Sequence, residues 1–116
     1  MMSPFGYCLN ASTIRGTPVL QQIEVARAAG YGAIELWFAD VDAHVAAGGS
    51  HAAIRRALDA AALELPTMIY LGGWFECEDA AWPGKRDECV RRLTEAAALG
   101  ARRVIAGPPP GRCDVR

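Results

Sequence analysis

Runs of apolar residues alternate along this chain with stretches in which apolar residues recur every three or four positions. Residues 5–9, 33–37, 66–71 and 103–106 are the runs, and they read as four strands. Between the first two, Val19, Ile23 and Ala26 keep an i, i+4, i+7 rhythm that predicts a helix. Thr17 is placed to cap it, Pro18 suits its first turn and Gly30 supplies a left-handed exit. A short helix is expected from Asp40, as its cap, to the break at Gly48 and Gly49. Ser50 caps a further helix with Ile54, Leu58 and Ala61 on its inner stripe. A last helix, over residues 85–99, is expected to turn Val90, Leu93 and Ala97 toward the sheet.

Helix exits that feed strands recur. "ARAAGYGAIELW" leaves a helix at Gly30, "DAAALELPTMIYL" around Leu63 and "EAAALGARRVIAG" at Gly100. Seventy residues separate Gly30 from Gly100, so each of the two intervening units takes 35. That period, with helix and strand in turn, signals βα units in a parallel sheet. Two architectures fit: a doubly wound sheet, or part of a (β/α)8 barrel. A full barrel takes about 250 residues, and 116 is near half of that.

Glu35 separates the two. Alternation puts Ala33, Glu35 and Trp37 on one strand face and Ile34 and Leu36 on the other. A dry, unpaired carboxylate costs about several kcal/mol, so Glu35 needs a wet or polar neighbourhood. A barrel interior near its C-terminal rim offers one; the inner layer of a doubly wound sheet is covered by helices. The expected fold is therefore α/β, half of a (β/α)8 TIM barrel, with four parallel strands and helices on the outer face. It spans residues 1–116 as one unit.

Composition narrows the classes. Hydrophobic residues make up 52% and charged residues 22%, which is globular rather than disordered. No stretch approaches the roughly 20 apolar residues of a membrane span. The start, "MMSPFGYCLN", has neither a basic leader nor an apolar signal core, so a cytoplasmic location is expected. With a net charge of −1 there is no basic footprint for nucleic acid. Cys8, Cys77, Cys89 and Cys113 form no CxxC pair and read as reduced thiols. Asp40 and His44 share a helical spacing, but no further ligand accompanies them, so His44 and His51 read as surface histidines. "GPPPGRCD" (107–114) lacks a Walker ending and has three prolines without donors, so it reads as a stiff exit from the fourth strand.

"CLNASTIRG" (8–16), "AAGYGAIELW" (28–37) and "EAAALGARRVIAGPPPG" (95–111), in that order and spacing, resemble the sugar phosphate isomerase/epimerase family of xylose-isomerase-like TIM barrels. The resemblance covers nearly the whole chain but only the N-terminal half of the family's length. It implies a divalent metal, manganese or magnesium, held by two glutamates, an aspartate and a histidine, and proton transfer alpha to a sugar carbonyl through an enediolate. Those ligands belong to later strands of the family pattern, so no metal ligand and no catalytic residue is carried over to a position here. The ligand class it implies is a sugar or sugar phosphate.

Four residues are candidates for substrate binding. Glu35 could orient a substrate hydroxyl or support the metal's ligands, or it could pair with an arginine or lysine of another strand. Asn10, ending the first strand, could bind a sugar hydroxyl or bond its own turn. Trp37 and Trp74, at or just past strand ends, could stack on a sugar's apolar face or pack under loops. The loop "GGWFECEDAAWPG" (72–84) has the length of an active-site βα loop.

Four strands leave two open sheet edges, which invite pairing with another chain. The chain is thus expected to be part of a longer protein or to self-associate, and alone neither to bind the metal nor to turn over sugar. Beside the isomerase reading stand a lyase or dehydratase on the same barrel, an apurinic endonuclease, disfavoured by the absent basic groove, and a half-barrel module without chemistry.

Overall fold

The computed structural model describes residues 4–109. Cys113 and the end of the 107–114 segment lie outside them. Strand β1 (Cys8–Asn10) leads through a 3-10 turn (Ala11–Ile14) to helix α1 (Val19–Ala28), then β2 (Ala33–Trp37). Helices α2 (Phe38–Ala46) and α3 (His51–Ala60) follow, then β3 (Thr67–Leu71), α4 (Trp82–Leu99) and β4 (Arg103–Ala106). The four strands form one sheet in the order β1-β2-β3-β4, every pair parallel. Between β3 and β4 the register slips between Ile69 and Leu71, where a cis peptide links Ile69 to Tyr70.

One face of the sheet is dry. Ile34, Leu36 and Met68 are fully buried there against Val19, Ile23 and Ala26 of α1, Val41 of α2, Ile54 and Leu58 of α3 and Leu99 of α4. The other face of β2 carries Ala33, Glu35 and Trp37, all half-buried. The expected alternation therefore holds, with Glu35 on the side away from the helical layer.

The sequence pattern and the structure part at four places. β1 is Cys8–Asn10 rather than residues 5–9, and Phe5 and Tyr7 are exposed. α1 starts at Val19 with Pro18 as its cap residue, and Thr17 makes no side-chain cap. Its carbonyl instead accepts from Gln22 Nε2 at 2.9 Å. α2 begins at Phe38, directly after β2, so Asp40 sits in its first turn and accepts from the same buried Gln22 amide at 3.1 Å. Ser50 does cap α3 as expected, its hydroxyl accepting from the Ala53 N–H at 3.1 Å.

The fourth difference is the phase of α4. Its inward stripe is Lys85, Cys89, Arg92, Ala96 and Leu99, at i, i+4, i+7, i+11 and i+14. Val90 and Leu93 are 53% and 48% exposed, and Ala97 is exposed too. The polar members of the inward stripe are tolerated because their charges are met: Lys85 by Glu88, Arg92 by Asp42 and Glu95. Apolar side chains are thus left exposed on α4, and Ile105 of the edge strand β4 is also 43% exposed.

Candidate functional site

The side of the sheet away from the helices gathers its polar groups where β1 and β2 end. Asn10 and Glu35 are paired across β1 and β2. Asn10 Nδ2 donates to Glu35 Oε2 at 3.1 Å, while its Oδ1 accepts from the Ser12 N–H at 2.9 Å. One side chain therefore both caps the turn after β1 and reaches the neighbouring strand. Fixed by that turn, Ser12 Oγ accepts from Trp37 Nε1 at 2.8 Å. Arg15, at the end of the turn, lays its guanidinium 4.9 Å from the centre of the Trp37 ring. Glu35, Asn10, Ser12, Trp37 and Arg15 form one connected surface at the C-terminal rim, the end where barrel sites lie.

Glu35 meets the Asn10 amide, not an arginine or lysine. Below it, the Cys8 thiol is pushed above its ordinary range, first by partial burial and then by the Glu35 charge. Trp74 stands apart from this surface: its indole donates to the Leu71 carbonyl at 2.9 Å and it meets Phe75 edge-on. Of the four residues singled out in the sequence, three are thus brought together and Trp74 is tied to its own loop. Ser12 and Arg15 are additions. The Asx turn that Asn10 can make was the available signal for Ser12; nothing local marks Arg15.

A second hollow, of about 260 Å³, opens between the ends of β2 and β3 and helices α2 and α4, with Trp37, Asp42, Tyr70, Cys89 and Arg92 on its walls. Its charges are committed. Arg92 bonds Asp42 at 2.7 Å and Glu95 at 3.0 Å and lies over the Phe38 ring. The hydrogen bond to Arg92 holds Asp42 below the usual carboxylate range, and Arg92 is raised in turn. His51 extends this network to α3 by its 2.6 Å contact with Glu95. His44 accepts from the Ser50 N–H at 3.2 Å, closing the turn between α2 and α3. These contacts join helices rather than await a ligand.

The donor set does not suit a resident divalent metal. Glu35 is accompanied by an amide and a thiol, and among the described residues no three His, Cys, Asp or Glu side chains converge on one point. Likewise, among the described residues, no helix is long and apolar enough to cross a membrane.

No protein-family model and no curated protein matches the chain. Solved structures do match it. Protein SMc04130 from Sinorhizobium meliloti 1021 is 29% identical with a TM-score of 0.72, over 92% of this chain and 39% of that one. The IolI protein with a binding zinc atom superposes at a TM-score of 0.81 and 15% identity, over 97% and 41%. The probable 3-DHS dehydratase AsbF from Bacillus anthracis gives 0.67 and 15%, over 88% and 38%. The chain therefore spans about two fifths of each of these structures.

Proposed function

We propose that this chain, which has the fold of part of a xylose isomerase-like TIM barrel, carries the substrate-binding rim of a sugar or sugar-phosphate isomerase/epimerase. Residues 1–116 are its N-terminal half. The observation that supports this reading is the joined surface of Asn10, Ser12, Glu35 and Trp37 at the C-terminal ends of β1 and β2. A carboxylate with one oxygen bonded to an amide retains an oxygen that accepts from ligand hydroxyls, and the Asn10 amide retains an N–H that donates to them. The Trp37 ring, held by Ser12 and covered on one face by Arg15, offers its remaining exposed surface to the C–H face of a sugar. This part of the protein orients the polyol; the metal, and the carboxylate that moves the alpha proton, come with the strands that complete the barrel.

A lyase or dehydratase acting on a keto-polyol or hydroxy acid is the second reading, supported by the likeness to the probable dehydratase AsbF. The same rim serves either chemistry. Nucleic acid and membrane are not among the proposed partners, the proposed location is the cytoplasm, and the open sheet edges are the proposed place of self-association.

Titration of the isolated chain with sugars and sugar phosphates, followed by the Trp37 indole N–H signal in NMR, tests the reading. Saturable shifts that weaken in Glu35→Gln and Asn10→Ala are expected, with no turnover when manganese is added. Shifts that ignore both substitutions would remove the rim from the site. Isomerase activity of the chain alone would overturn the division of labour.

A further inference from the structure

We infer that Arg15 is the residue by which this rim selects an anionic ligand, so that the substrate class is a polyol bearing a phosphate or a carboxylate. The inference rests on the sugar-binding reading above and narrows it. Arg27, Arg55, Arg92 and Arg102 each lie within 4.0 Å of a carboxylate. Among the described residues no carboxylate lies that close to Arg15, whose contact is with the face of Trp37. Arg56, Arg86 and Arg91 also lack a carboxylate among the described residues but lie on α3 and α4, and Arg103 begins β4 at the opposite end of the sheet from the rim. Among these cations, Arg15 is the one joined to the Asn10–Glu35 surface, through Trp37 and Ser12.

Three physical consequences follow from that placement. Stacking on the indole limits the rotamers of an otherwise exposed side chain, so less freedom is lost when a ligand binds. Among the described residues none accepts a hydrogen bond from its N–H groups, which leaves the planar fork free to grip two oxygens of one oxyanion. Glu35, the acid of the same surface, is bonded to Asn10 rather than to Arg15. The rim therefore presents an acceptor end for hydroxyls and a donor end for an anion, separated by an aromatic plate. A neutral sugar uses the first and the plate; a sugar phosphate or sugar acid uses all three.

The test compares glucose, glucose 6-phosphate and glucuronate on the whole 116-residue chain, with the Trp37 indole signal as readout, in wild type, Arg15→Met and Arg15→Lys. Methionine keeps an apolar stem on the ring and removes the charge; lysine keeps a charge without the fork. In wild type at least one of the two anions is expected to bind about tenfold tighter than glucose, the arms showing whether phosphate or carboxylate is preferred. Arg15→Met should erase that advantage, bringing the ratio of anion to glucose affinity to about one whatever happens to glucose binding itself, and Arg15→Lys should restore part of it. Equal binding of the three sugars by wild type, or an advantage that survives in Arg15→Met, overturns the inference and leaves the rim reading standing. If no sugar shifts the indole, the rim reading itself falls and takes this one with it.

Discussion

Asn10 and Glu35 face each other across two neighbouring strands, and the amide of one donates to the carboxylate of the other at 3.1 Å. This bond is what lets an acid sit in the middle of "AIELW". Ile34 and Leu36 carry the hydrophobic load on the helical side, so Glu35 takes the other side at no cost to the core. There it keeps water on one hand and a fixed donor on the other. The same amide sets the turn that carries Ser12, and through Ser12 the tilt of Trp37.

The charge on Glu35 should be legible in the chemistry of Cys8. That thiol is raised by burial and by Glu35, so thiolate forms at higher pH than in an ordinary cysteine. Glu35→Gln removes the electrostatic part and leaves the burial. The alkylation rate of Cys8 by iodoacetamide, followed across pH 7 to 10 by peptide mass spectrometry, should then rise at lower pH than in wild type. An unchanged profile would mean that the carboxylate does not sense the thiol.

Arg92 should be the most sensitive single polar position for stability. It ties α4 to Asp42 of α2, lies over Phe38 and bonds Glu95, whose side chain is only 10% exposed. Arg92→Met keeps the stem but leaves Glu95 with His51 in place of its guanidinium partner, and about 2 kcal/mol should be lost in denaturant unfolding. Asp42→Asn should cost less, about 1 kcal/mol at neutral pH, because that carboxylate is half-exposed and screened. The sign of the pH effect is fixed. Asp42 is depressed in the folded state, so its contribution is complete above the unfolded value near 3.8 and disappears as pH falls through the lower folded value. The gap between wild type and Asp42→Asn should therefore close below about pH 4. A gap that persists at pH 2 would assign the loss to packing.

How far the sequence reveals this structure depends on whether the partner of a residue is near it in the chain. Glu35 is legible in the sequence because alternation needs only its neighbours. Ser50 is legible as a cap because the N–H it accepts from, on Ala53, is three residues on. The inner face of α4 is not, for the opposite reason: Arg92 points inward because of Asp42, fifty residues earlier, and a hydrophobic count sees only an arginine. Thr17 and Asp40 were each expected to cap a helix, and both instead serve the buried Gln22 amide, which a local pattern cannot weigh. In the rim, Asn10, Glu35 and Trp37 were marked by position at strand ends. Arg15 became visible only when the fold set it on Trp37.

The open edges make a last prediction. On the β4 side Val90, Leu93 and Ile105 are each more than two fifths exposed, and on the β1 side Phe5 and Tyr7 are exposed alongside Leu20 and Val25 of α1. Exposed apolar side chains on edge strands and on the helices joined to them mark surfaces that bury themselves against another chain. At micromolar concentration the 116-residue chain should accordingly sediment as concentration-dependent oligomers. Leu93→Lys combined with Val90→Lys should shift it toward monomer: two charges on one helical face oppose burial there while lying outside the folded core, so the far-ultraviolet spectrum should not change. If the chain is monomeric at every concentration and the double variant sediments identically, these side chains are ordinary solvated surface.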